Sequence, residues 1–130
     1  MSEGPEVRVL VVDDHRGFRA AASAVLRRVP HFAVVGQAAS AEEALQSADS
    51  LRPDLVLMDI RLPAMNGVDA TRELTRRLPG TVVVLVSTYP PEDLPWDVDG
   101  CGAAGYLRKE DLYPAELQDF WRRHAPTSAP

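Results

Sequence analysis

Asp54-Leu55-Val56-Leu57-Met58-Asp59 is an apolar run closed by carboxylates, and the reading of its last residue decides how the chain is understood. A short continuous apolar run with polar stops reads as a strand buried on both faces. Three further runs end on polar groups. Val7-Arg8-Val9-Leu10-Val11-Val12 stops at Asp13 and Asp14, and Thr81-Val82-Val83-Val84-Leu85-Val86 stops at Ser87. Gly105-Tyr106-Leu107-Arg108-Lys109 ends in an ammonium, and Phe32-Ala33-Val34-Val35-Gly36 supplies a fifth strand. Polar groups at four successive strand ends predict one pocket at the rim of a parallel sheet, where open α/β sheets bind ligands.

Helical patterns separate these strands. His15 to Val29 carries Phe18, Ala21, Ala22, Val25, Leu26 and Val29 at amphipathic spacing, with Pro30 as its stop. Ser40-Ala41-Glu42-Glu43 matches a capping box and opens a helix to about Leu51. After a loop over Pro63 to Gly67, a helix from Val68 to Leu78 turns Ala70, Leu74 and Leu78 inward. Pro114 opens a closing helix with Leu117, Phe120, Trp121 and His124 on one face. Five strands alternating with five helices predict a parallel sheet covered on both faces. The fourth helix breaks the regularity. Pro90, Pro91, Pro95, Gly100 and Gly102 crowd the segment between Ser87 and Lys109. An interior proline costs about 3 kcal/mol, so this helix is expected to be short, irregular or partly 3₁₀.

The 130 residues suit one domain, and 45% apolar with 25% charged residues is ordinary for a globular chain. A net charge of −5 argues against nucleic-acid binding by this segment. Cys101 is the only cysteine, which excludes an internal disulfide and a Cys-based zinc site. No stretch reaches the roughly 18 apolar residues of a membrane span. The start, Met1 to Glu6, is acidic and unlike a signal peptide, so a cytoplasmic setting is expected. Residues 1–6 and 125–130 read as flexible ends, the latter as a tail or the start of a linker, around a domain at 7–124.

The strand-end groups suit Mg²⁺ and phosphoryl chemistry. Mg²⁺ takes an octahedral oxygen shell with one or two carboxylates, waters and a phosphate. Asp14 and Asp59 serve as direct ligands, Asp13 acts through a water, and the Arg61 backbone carbonyl adds an oxygen. Three clustered carboxylates raise one another's pKa and so demand a cation or Lys109. Asp59, at a strand end with its loop opening beyond, is the best nucleophile and gives an acyl phosphate. Mg²⁺, Lys109 and Ser87 then divide the phosphoryl charge. Taken singly, each of these groups is an ordinary turn residue, hydroxyl or solvated charge. Their coincidence at four strand ends carries the argument.

The sequence resembles the receiver domain of bacterial two-component response regulators. The resemblance lies in Val9-Leu10-Val11-Val12-Asp13-Asp14-His15, in Pro53 to Gly67, and in Gly102-Ala103-Ala104-Gly105-Tyr106-Leu107-Arg108-Lys109, and covers about residues 7–123. It implies a flavodoxin-like (βα)5 fold with strand order 2-1-3-4-5. It also implies that Asp59 accepts phosphate from a sensor histidine kinase, with Asp13 and Asp14 as the Mg²⁺ pair. Ser87 becomes the switch hydroxyl, Lys109 the phosphate-contacting lysine and Tyr106 the aromatic switch. The text over 52–67 and 102–109 looks closest to regulators with a helix-turn-helix output, which would lie in a C-terminal or separate domain.

Glu110 stands where many receivers have proline, and Asp99 where they place an apolar residue. With the proline-rich stretch 90–96, this predicts weak or unusual dimerisation through the usual output face; a tight phospho-dependent dimer in sedimentation would refute it. Arg61 and Tyr89, two residues beyond Asp59 and Ser87, are expected to flank the acyl phosphate and slow its hydrolysis, or else to be plain surface residues. His15, His31 and His124 read as surface, Cys101 as small and semi-buried, and Trp96 as a plug beneath the poor helix or else an exposed anchor for a partner. Two alternatives stay open: a receiver-like interaction module that works without phosphate, and an aspartate-based Mg²⁺ phosphohydrolase. The second usually shows Asp-x-Asp, which Asp13-Asp14 and Asp59 lack.

Overall fold

Short apolar runs, four of them closed by polar groups, settle into adjacent parallel strands. The computed structural model describes residues 6–93, 98 and 100–126. Strands β1 (Val7–Val12), β2 (Phe32–Ala38), β3 (Leu55–Asp59), β4 (Val82–Ser87) and β5 (Gly105–Arg108) form one sheet in the order β2-β1-β3-β4-β5, as expected. Helices α1 (Arg16–Leu26), α2 (Ala41–Leu51), α3 (Gly67–Arg77) and α4 (Pro114–His124) cover it. Among the described residues no helix is long and apolar enough to cross a membrane.

The period-two alternation of the strands divides the core. Val9, Val11, Leu55, Leu57, Val82, Val84 and Val86 pack with Ala22 and Leu26 of α1 and Leu117 and Phe120 of α4. Leu10, Val12, Val56, Met58, Val83 and Leu85 pack with Ala44, Ala48, Ala70 and Leu74 of α2 and α3. All five β3 residues are buried, which explains the uninterrupted apolar run before Asp59.

Several boundaries differ from expectation. Four α-helices stand among the described residues, and the fourth crossover is irregular there, as expected. Among the described residues the fourth crossover carries only a 3₁₀ turn, Pro91–Asp93, closed by the Asp93 N–H donating to the Pro90 carbonyl at 3.0 Å. Pro90 and Pro91 supply no N–H for an α-helical ladder. The expectations for Trp96, Asp99 and residues 127–130 fall outside the described residues.

Helix α1 ends at Leu26 rather than Val29, because the amides of Arg28 and Val29 tighten onto carbonyls three residues back, ahead of Pro30. Ala21, placed on its apolar stripe, is exposed. Strand β2 runs on to Ala38, paired with Val12, and Val35 bulges out of register between Val34 and Gly36. The bulge falls on an edge strand, where such kinks discourage pairing with another chain. Cys101 is fully buried rather than half so, and the His124 ring packs on Phe120 with centroids 4.4 Å apart.

Caps fix where the helices begin. Ser40 Oγ accepts the Glu43 amide at 3.1 Å, while the Glu43 carboxylate reaches past Ser40 to the Ala39 amide at 2.6 Å. Asn66 Oδ1 accepts the Asp69 amide at 2.9 Å and so sets the start of α3. Each such cap is worth about 1 kcal/mol. The Asn66 cap also ends the loop that leaves Asp59.

Candidate functional site

Strand alternation decides which polar ends can meet. Asp13, Asp59 and Lys109 continue the register of Val11, Leu57 and Leu107, on the side of α1 and α4. Ser87 continues that of Val83 and Leu85, on the side of Tyr106. The strand-end groups therefore form two neighbouring sets rather than one ring.

In the first set, Lys109 Nζ lies 2.6 Å from Asp13 Oδ2 and 3.6 Å from Asp59 Oδ1. Both carboxylates are buried. Lys109 itself falls just past β5, on the first residue of a 3₁₀ turn, Lys109–Asp111. Burial, and next the Asp13 charge, push the Asp59 carboxyl up to about 6; Lys109 opposes this and the Asp14 charge adds to it. Three carboxylates against one ammonium leave an excess of negative charge in a partly desolvated site.

That excess fits a divalent cation. Ligand atoms of Asp13, Asp14 and His15 lie within 4.8 Å of one another, and Asp59 is close enough to feel both aspartates. Carboxylate oxygens dominate the set, as Mg²⁺ prefers. Arg61 follows Ile60, whose carbonyl accepts the amides of Leu62 at 3.2 Å and Gly67 at 2.8 Å. Gly67 touches the strand end so closely that a Cβ there would stand 2.0 Å from the Asp59 carbonyl oxygen. Only glycine permits this loop closure.

In the second set, Ser87 is buried and its Oγ accepts the Tyr89 amide at 3.1 Å. The Tyr106 hydroxyl is buried without a hydrogen bond of good geometry. Burial raises its pKa, and the nearby Ser87 hydroxyl offsets part of the rise. Outside the pocket, the Arg61 guanidinium lies over the Tyr89 ring, 4.7 Å from its centroid. The two residues expected to flank the site thus stack on each other.

Three contacts were not foreseen. His15 is exposed, as read, yet its ring Nδ1 lies 3.2 Å from carboxylate oxygens of both Asp13 and Asp14, and its amide donates to Asp13 at 2.8 Å. Arg19, one turn on, donates from Nη1 to the Asp13 carbonyl at 2.8 Å. His15 directly follows the two aspartates, but that adjacency does not say that its ring folds back onto them. Phe18, read as a core residue, places its ring 4.3 Å from Lys109 Nζ.

A model of the response regulator receiver domain matches residues 9–119. The chain belongs to that family. Among its relatives, the response regulator GacA of Pseudomonas viridiflava is 44% identical over 103 residues, covering 79% of this chain and 48% of GacA. The nitrate/nitrite response regulator protein NarL of Escherichia coli K12 is 35% identical over 118 residues, covering 90% of this chain and 54% of NarL. A crystal structure of a LuxR-family two-component response regulator from an Aurantimonas species aligns with a TM-score of 0.79 at 32% identity, over 88% of this chain and 81% of that one. This receiver domain thus spans about half the length of the curated relatives it matches.

Proposed function

We propose that this receiver domain takes a phosphoryl group from a sensor histidine kinase onto Asp59 and relays the change to an output partner. The observation that carries the proposal is the buried Asp59 carboxylate, 3.6 Å from the Lys109 ammonium, at a strand end beside a second buried carboxylate. In the transfer an Asp59 carboxylate oxygen attacks phosphorus and forms the new O–P bond. The P–N bond to the kinase histidine breaks and its electron pair returns to the ring nitrogen. With the other ring nitrogen protonated, the imidazole leaves neutral and the product is an acyl phosphate.

Asp13, Asp14, Asp59 and the Arg61 carbonyl would hold Mg²⁺, which would supply charge neutralisation at the phosphoryl oxygens. Lys109 turns from Asp13 toward the new dianion, and the Ser87 hydroxyl donates to another of its oxygens. Movement of Ser87 leaves space that Tyr106 takes, so a phosphoryl charge biases a two-state element. Arg61 and Tyr89 cover the mouth and hinder water. The domain acts as a phosphoacceptor rather than a turnover enzyme, in the cytoplasm, with an output domain or separate partner and at most a weak homodimer.

Acetyl phosphate with Mg²⁺, followed by intact mass, tests this. The expected result is one added phosphoryl group that Asp59→Asn abolishes. Continuous phosphate release would instead mark a phosphohydrolase, and an unchanged mass a phosphate-independent module.

A further inference from the structure

The stripe of α1 buries Ala22 and Leu26, but Phe18 at its start stays half-buried. Its ring turns toward Lys109, with Nζ 4.3 Å from the centroid. The sequence holds thirteen arginines and one lysine, and this is the lysine. A compact ammonium with three rotatable donors therefore sits where the chain elsewhere uses a planar fork. Asp13 and Asp59 face the ammonium at 2.6 and 3.6 Å, and the ring covers a further side, leaving the lysine side chain 16% exposed.

We propose that Phe18 is a positioning residue for Lys109, holding the ammonium in the pocket by the attraction of its ring face while leaving it free to change hydrogen-bond partners. A carboxylate or amide in this place would claim one of the three N–H groups and fix their direction. The ring quadrupole attracts the cation without accepting a directed bond. The ammonium can then swing from Asp13 to a phosphoryl oxygen on Asp59 at a nearly constant distance from the ring. The same ring keeps water from that side, which strengthens the attraction of Lys109 for the incoming charge. The kinetic consequence rests on the phosphoacceptor reading of Asp59; the placement of Lys109 does not.

The test compares Phe18→Leu and Phe18→Trp with the parent chain. Leucine retains apolar bulk without the ring, and tryptophan retains the ring face. Two readouts are needed. The first is the NMR shift of the lysine ε-methylene, unambiguous with one lysine, which the ring should move upfield in the parent and which should return toward the free-lysine value in Phe18→Leu. The second is the rate of phosphoryl uptake from acetyl phosphate, expected to fall roughly three- to tenfold in Phe18→Leu and to be retained in Phe18→Trp. Equal uptake by the leucine variant and the parent, or a lysine signal unmoved by the substitution, overturns the proposal. Should the parent take up no phosphoryl group, the reading of Asp59 fails instead, and the lysine shift alone decides the placement.

Discussion

The Lys109 ammonium is an ångström closer to Asp13, at 2.6 Å, than to Asp59, at 3.6 Å. Before phosphorylation its chief task is to neutralise a carboxylate with no solvent access. Lys109→Gln strands that charge. Removing one partner of a buried pair costs roughly 3–5 kcal/mol. Urea unfolding in EDTA should show a loss near the lower end of that range. Millimolar Mg²⁺ should restore much of it, because the metal takes over the neutralisation. A deficit that Mg²⁺ leaves untouched would place the metal away from Asp13.

The raised Asp59 pKa makes stability depend on pH in a definite direction. Its folded value of about 6 lies above the ordinary 3.8, so the neutral acid is favoured by folding. The stability this group contributes is complete below its unfolded pKa and is lost as pH rises through about 6. A rise from 3.8 to about 6 corresponds to about 3 kcal/mol. In EDTA, Asp59→Asn should therefore gain on the parent as pH rises from roughly 4 to 7, and the gap should narrow with Mg²⁺. Parallel stability profiles for the two proteins would contradict the raised pKa.

Much of this pocket was legible because buried parallel strands write apolar runs with abrupt polar stops, as at Asp13, Asp59 and Ser87. Prolines at 90 and 91 likewise announced that the fourth crossover would not hold a regular helix where it is described. The rest was hidden by degeneracy. A period of 3.6 places Phe18 on the inner face of α1, but it reads the same whether that face meets leucines or an ammonium. His15 next to two aspartates looks like any polar loop until the start of α1 folds its ring back onto both. Strand parity, which separates Ser87 and Tyr106 from the three charged groups, was present in the sequence and becomes visible only once register aligns the strands.

Gly67 bounds the loop that carries any signal away from Asp59. An added Cβ would meet the Asp59 carbonyl oxygen at 2.0 Å and the Ile60 Cα at 2.9 Å, both backbone atoms that cannot yield as a side chain does. Gly67→Ala should therefore destabilise the fold by about 3 kcal/mol, the upper end of overpacking costs, and slow phosphoryl uptake by displacing the acceptor. Gly17→Ala serves as the control, since its Cβ meets nothing within 4 Å. That helical site should be neutral or gain up to about 1 kcal/mol. Thermal unfolding of the two variants checks both statements, and equal effects would discount the contact.

Arg61 and Tyr89 form a stack of 4.7 Å across two loops, one leaving Asp59 and the other leaving Ser87. Tyr89 is also tied to Ser87 through its amide, so the ring is placed by the same hydroxyl that is expected to move on phosphorylation. Exposed cation–π pairs are worth about 0.5–1 kcal/mol, enough to bias a lid but not to lock it. Hydrolysis of an acyl phosphate needs a water in line with the scissile bond, and the ring in its proposed place at the mouth would obstruct that approach. Tyr89→Ala should shorten the lifetime of phosphorylated Asp59 by roughly two- to fivefold, the rate equivalent of that energy. Arg61→Ala should do so less, because the ring remains. Tyr89→Phe keeps the ring and should keep the lifetime. Following loss of the phosphoryl mass over time after removal of excess acetyl phosphate measures all three. An unchanged decay in Tyr89→Ala would reduce the stack to a surface contact and leave the lifetime to Asp59, Lys109 and the metal.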